Sequence, residues 1–210
     1  MNKNLMGLLA RRACAVALII MLAGLVLPAI ALAGDNDGSD YEFICDSEGL
    51  ATIIRFKGEE GDVHIPASIN GHAVVSIDDY AFDDCAFLRS VTIPKGVTSI
   101  GKRAFSGCKS LSSITIPEGV TSIGIRAFNG CTSLESLTLP STLESAAGAF
   151  DGSFLKSVVF APGTVSVLAS LFAGCESLSS VSIPEGVTSI GERAFNGCTS
   201  LESLTLPSTL

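Results

Sequence analysis

A unit of 22 or 23 residues repeats along most of this chain, and a unit that short cannot fold by itself. Phe82, Phe105, Phe128, Phe150, Phe172 and Phe195 stand 22 or 23 residues apart. Cys85, Cys108, Cys131, Cys175 and Cys198 keep the same rhythm, with Ser153 in the one gap. Each unit exposes an apolar face that only a neighbouring unit can cover, so the repeats must stack into a solenoid.

The residues inside one unit set its local structure. From residue 111 it reads Leu111-Ser-Ser-Ile114-Thr-Ile116-Pro117-Glu-Gly-Val120-Thr-Ser-Ile123-Gly124-x-x-Ala127-Phe128-x-Gly130-Cys131. Ile114 and Ile116 alternate with Ser113 and Thr115, which is the period of a half-buried strand. Pro117 lacks an amide donor and ends that strand. The stretch at Ala127-Phe128 is too short for a regular helix and predicts one helical or 3₁₀ turn. The expected fold class is therefore α/β: a right-handed solenoid, mostly strand and loop, with a parallel sheet along one face and short helical or 3₁₀ turns. Equivalent residues become columns, and the phenylalanine column reads as core rather than as a cofactor box.

The first residues stand apart. Lys3, Arg11 and Arg12 precede an apolar run from Ala13 to Ala33, and Ala31-Leu32-Ala33 places small residues before Gly34. Residues 1–33 read as a secretory signal cleaved near Ala33–Gly34, with an uncleaved membrane anchor as the competing reading. Residues 34–40 form an acidic, flexible leader. Residues 41–77 depart from the period and form an N-terminal cap with a first incomplete repeat. Residues 78–210 are the repeats proper. Residues 116–143 and 183–210 are identical except for Ile125 against Glu192, and the sequence stops within the second copy. This arrangement predicts a truncated array in which Leu204 and Leu206 are poorly covered. The variable position 125/192, which accepts Ile and Glu, is expected on the outside.

The motifs Cys108-x-x-Leu111-x-x-Ile114-x-Ile116-Pro117 and Val120-Thr-Ser-Ile123-Gly124-x-x-Ala127-Phe128-x-Gly130-Cys131 resemble those of leucine-rich-repeat proteins, most closely the BspA-like branch of bacterial and protozoan surface proteins. The resemblance covers about residues 41–210. It implies a secreted or cell-surface protein that binds protein partners, in particular host-surface or extracellular-matrix proteins. One departure concerns the position where many leucine-rich repeats carry an asparagine ladder. Gly96, Gly119, Thr142 and Gly186 occupy it here, so some other group must satisfy the turn carbonyls.

Composition narrows the function classes further. A formal net charge of −8, with 21 acidic against 13 basic residues and no basic runs, argues against nucleic acid or anionic membrane surfaces as partners. A hydrophobic fraction of 47% excludes disorder. The periodic cysteines read as buried thiols, since a 23-residue spacing does not converge on zinc. His64 and His72, with Asp62, Asp78 and Asp79 within reach along the sequence, read as cap histidines, because no nucleophile turn accompanies them. Asp35-Asn-Asp37-Gly38-Ser-Asp40 misplaces the glycine needed for a calcium loop. Leu139-Pro-Ser-Thr-Leu143 is a repeat fragment. No catalytic residue, cofactor or metal is expected.

The candidate partner-binding residues are hydroxyls. Ser90, Ser113, Ser136, Ser180 and Ser203 recur at one position, and Thr92, Thr115, Thr138, Ser182 and Thr205 lie two residues on. Strand alternation places both sets away from the core, as a flat uncharged face. Two roles stay open for it: recognition of a protein, or cross-strand packing of hydroxyls in a spacer without a ligand.

Overall fold

The computed structural model describes Gly38 and residues 40–210. The signal segment and most of the acidic leader lie outside the described residues. The strands are β1 (Tyr41–Cys45), β2 (Ala51–Phe56), β3 (Asp62–His64), β4 (Ser68–Ile69), β5 (His72–Ile77), β6 (Ser90–Thr92), β7 (Ser99–Ile100) and β8 (Ser113–Thr115). They continue as β9 (Ser122–Ile123), β10 (Ser136–Leu139), β11 (Ser157–Phe160), β12 (Ser166–Val167), β13 (Ser180–Ser182), β14 (Ser189–Ile190) and β15 (Ser203–Thr205).

Each coil contributes to two parallel ladders. The first ladder runs β3-β6-β8 and then β10-β11-β13-β15, seven strands in all. Its register sets like on like: Ser90 faces Ser113, Val91 faces Ile114 and Thr92 faces Thr115. The second ladder runs β2-β5-β7-β9, passes a single bridge between Ser122 and Ser145, and resumes as β12-β14. The expected parallel sheet is thus present, together with a second ladder of strands mostly two residues long. At the start, β1 lies antiparallel on β2, and β4 lies antiparallel on β5. No helix among the described residues is long and apolar enough to cross a membrane.

The expected helical or 3₁₀ turn around Ala-Phe is not formed. In the coil of Phe105, Ala104, Ser106 and Cys108 bond three residues back, to Gly101, Arg103 and Phe105. The alternate amides of Arg103, Phe105 and Gly107 bond forward, to the carbonyls of Ile125, Ala127 and Asn129 in the next coil. Arg103 and Gly107 both have positive φ, 52° and 72°. Left-handed residues at both ends break any helical run, so the segment is a chain of overlapping turns, and the described residues form strand and turn without helix. A left-handed non-glycine costs about 1–2 kcal/mol, which the forward hydrogen bonds of the same amides offset. Gly124 opens the equivalent turn of the next coil, where a Cβ would collide with the backbone of Gly101 and Lys102 one coil back.

The core is the set of columns this stacking creates. Phe82, Phe105, Phe128, Phe150 and Phe172 are fully buried. Successive rings stack with centroids 4.9, 5.6, 5.4 and 5.9 Å apart, and Phe195 continues the column 5.5 Å beyond Phe172. Phe56 of β2 extends it at the other end, 5.0 Å from Phe82. Burial of each ring contributes roughly 1.5–3 kcal/mol, and offset stacking adds to this.

The missing asparagine ladder is replaced by hydroxyls and thiols. Ser112 and Ser179 donate to the carbonyls of Arg89 and Lys156, Thr121 to Thr98, and Thr132 and Ser133 both to Lys109. Thr142 accepts from the amide of Gly119 and donates to the carbonyl of Val120, and Thr209 repeats this with Gly186 and Val187. The thiols of Cys108, Cys131, Cys175 and Cys198 donate to the carbonyls of Phe82, Phe105, Phe150 and Phe172. These short donors reach exactly one coil back, so stacking and satisfaction of the turn carbonyls are one event.

Candidate functional site

The first ladder builds an outward face because its strands alternate. Val91, Ile114, Leu137, Val158 and Val181 point inward and are buried. The flanking positions must then point out. Thr92, Ser113, Thr115, Ser136, Thr138, Ser180, Ser182, Ser203 and Thr205 are exposed, and Ser90 is half-buried. Register between neighbouring strands brings these hydroxyls into two columns. Adjacent strands lie about 4.8 Å apart.

Nine of the ten residues make no side-chain hydrogen bond among the described residues, and the exception is Ser90, which donates to Asp62 at 2.8 Å. On the second ladder one such pair does bond, since the hydroxyls of Ser76 and Ser99 lie 2.7 Å from each other. Cross-strand hydroxyl pairing is therefore possible in this fold, and the first-ladder columns do not use it.

The face is neither uniform nor fully uncharged. Strand β3 places Asp62 beside Ser90 and His64 beside Thr92, so both columns begin on titratable side chains. The hydrogen bond from Ser90, reinforced by the guanidinium of Arg89 at 3.1 Å, holds the Asp62 carboxyl below the ordinary aspartate range. Val159 stands in the threonine column opposite Thr138 and is 56% exposed. Lys156 and Glu135 form an ion pair at 2.6 Å along one margin. The strand β3 extension was signalled in the sequence by Val63-His64-Ile65-Pro66, which parallels Val91-Thr92-Ile93-Pro94. Asp and His at the hydroxyl positions masked it.

The other candidate groups separate. His64 lies on the first ladder, whereas His72 lies on β5 of the second and donates Nδ1 to the carbonyl of Gly49 at 2.8 Å. Asp78 and Asp79 follow β5, and Asp79 accepts the amide of Lys102. No Ser–His–Asp constellation is assembled by these residues. The periodic thiols are free, and all but Cys198 are buried. Burial pushes Cys131 and Cys175 up to about 12, and Cys85, Cys108 and Cys198 are raised for the same reason. Such thiols stay protonated and pack as small apolar groups. Among the described residues no group of His, Cys, Asp and Glu is arranged to hold a metal. Ile125 and Glu192 are both exposed, as their interchangeability requires.

Comparison with known proteins places this geometry among repeat proteins. A family model described as BspA type Leucine rich repeat region matches residues 64–175 and 146–210, in six copies. No curated protein matches the sequence. Among solved structures, a T. pallidum leucine-rich repeat protein aligns with TM-score 0.57 at 26% identity, covering 80% of this chain and 81% of its own. A leucine-rich cell surface protein from Faecalibacterium prausnitzii aligns with TM-score 0.56 at 29% identity, over 79% of this chain. This chain spans about half, 52%, of that protein. A leucine-rich repeat protein from Bacteroides capillosus is 32% identical, with TM-score 0.54, over 58% of this chain and 94% of its own.

Proposed function

Because this chain belongs to the BspA-type leucine-rich repeat family, we propose that it is the recognition module of a secreted or cell-surface protein and binds a protein partner through the outward face of its first ladder. The observation that carries this reading is the row of exposed hydroxyls without intramolecular partners, in a fold where hydroxyls at several other positions are tied to carbonyls. Free donors and acceptors on a rigid sheet suit hydrogen bonding to a partner's backbone and polar side chains. Specific recognition needs about 800 Å² from each side, which engages most of the seven strands. Surface localisation is supported by the F. prausnitzii cell surface protein. Extracellular-matrix and host-surface proteins are the partner class inferred.

A second reading, a spacer without a ligand, draws support from the near-identity of residues 116–143 and 183–210. Recognition faces gain specificity from coils that differ. Both readings meet in one experiment. The purified chain is passed over an immobilised panel of extracellular-matrix proteins, beside the Thr115→Glu/Thr138→Glu variant. Recognition predicts saturable binding that the variant abolishes while its melting curve is unchanged. Absence of saturable binding by the unmodified chain sinks the proposal and leaves the spacer.

A further inference from the structure

We propose that Asn70–Gly71 is a site of spontaneous covalent modification, where the asparagine closes to a succinimide and water reopens it to aspartate and isoaspartate. The chain carries Asn-Gly pairs at residues 70–71, 129–130 and 196–197. The first two lie away from the last coil, and the structure holds them in opposite states.

The chemistry needs two atoms to be free. The backbone nitrogen of the glycine attacks Cγ of the asparagine, a new C–N bond forms, and the Cγ–Nδ2 bond breaks. Ammonia leaves, carrying the amide proton of the glycine. Water then adds to either ring carbonyl, which gives aspartate or, with the main chain rerouted through Cγ, isoaspartate. No electrons are gained or lost. Asparagine is a chemically labile residue, and glycine after it has no side chain to crowd the attack.

At Asn70–Gly71 both atoms are open. The pairing of Ile69 with His72 leaves these two residues as the whole loop between β4 and β5. Their φ angles, 52° and 84°, are both left-handed, the geometry of the tight hairpin turn that Asn-Gly favours. Both residues are exposed. Among the described residues, the Gly71 amide donates to no acceptor and the Asn70 side chain has no partner. A Cβ at Gly71 would meet nothing within 4 Å, so the ring has room to close and water to enter.

At Asn129–Gly130 both atoms are held. Nδ2 of Asn129 donates to the carbonyl of Asp151 at 3.0 Å. The amide of Gly130 donates to the carbonyl of Gly152, also at 3.0 Å. Nucleophile and leaving group are each tied to the next coil, and reaction there waits on local opening of that interface. One dipeptide is thus reactive in the cap and guarded in the array.

The position gives the modification a consequence. Strand β5 pairs with β4 in the hairpin and with β2 and β7 in the second ladder. Isoaspartate inserts an extra backbone carbon into the two-residue loop and displaces the pairing of Ile69, which is fully buried. Ageing of this residue loosens the hairpin that joins cap to array. The inference is independent of what the hydroxyl face binds.

The test holds the purified chain at mildly alkaline pH and maps digested samples over time by mass spectrometry, with isoaspartyl methyltransferase labelling to mark isoaspartate. In the folded chain Asn70 is expected to lose its amide about tenfold or more faster than Asn129, whose reaction requires local opening. In urea the two should convert at similar rates, which ties the difference to the fold. Equal rates in the folded chain overturn the proposal. An Asn70 amide that survives in the folded chain and is lost in urea also overturns it, by showing that the hairpin blocks the attack. The Asn70→Gly variant keeps a residue suited to left-handed backbone and removes the amide. Its melting temperature should hold steady on ageing while that of the parent chain falls, and a parallel fall in both would overturn the link to the cap.

Discussion

Residues 116–143 and 183–210 carry one sequence in two environments. In the first, Phe128, Cys131, Leu134 and Leu139 are at most 1% exposed. In the second, Phe195, Cys198 and Leu201 are only partly buried, and Leu204 and Leu206 reach solvent. Contacts made within each copy or toward the preceding coil are reproduced: Glu118 holds Ser141 as Glu185 holds Ser208, and Thr142 bridges as Thr209 does. What changes is everything owed to the following coil. Burial in this fold is a property of adjacent pairs of coils, not of a unit's own residues.

Paired substitutions sharpen that comparison. The largest contrast is expected at the aromatic column. Phe128→Ala should cost about 3–5 kcal/mol, whereas Phe195→Ala should cost roughly 1–2 kcal/mol because one neighbouring ring is missing. Urea unfolding of the two variants compares them directly, and equal losses would break the nearest-neighbour account. Leu137→Ala and Leu204→Ala extend the test to the ladder: about 2–5 kcal/mol for the buried residue and within about 0.5 kcal/mol for the exposed one.

The thiols supply a third contrast, through pH. Their folded pKa values are raised by burial, so the folded chain holds protons that the unfolded chain releases above about 8.5. The associated stability is complete below that pH and is lost as pH climbs toward about 12, the value for Cys131 and Cys175. Unfolding midpoints measured from pH 8 upward should fall, and the Cys131→Ala/Cys175→Ala variant should show a shallower decline. Throughout, Cys198 should be alkylated before Cys131. The smallest effect is predicted at Ser141→Ala and Ser208→Ala. Each breaks an exposed contact internal to its copy, so both should shift stability by less than about 0.5 kcal/mol and by equal amounts. Unequal shifts would mean that the copies differ in more than their cover.

Columns of identical residues made much of this legible. The Phe, Cys and Ser/Thr spacings locate the core, the buried thiols and the outward hydroxyls, because a fixed period converts sequence position into spatial position. Other features left weaker marks. Ser99–Ile100 and its equivalents are too short to display an alternation, so the second ladder is invisible as a pattern. Phe56 joins the aromatic column from outside the period. Arg103, Arg126 and Arg193 adopt left-handed backbone, which arginine does not advertise, and that conformation is what replaces the anticipated helical turn. Strand β3 begins the hydroxyl face with Asp62 and His64, and Val159 interrupts it, because the inward residues fix the register while the outward ones are free to vary.

The hydroxyl and thiol tethers, each spanning about one repeat, also determine how the molecule responds to pulling. Every tether links a coil only to its immediate predecessor, so tension applied at the last coil loads one interface at a time. Under such a load the solenoid would peel in steps, each releasing roughly 80 Å of chain at about 3.5 Å per residue, while the coils behind the breaking front keep their contacts. In a chain loaded between its two ends that would act as a shock absorber, a link that lengthens under strain before it lets go.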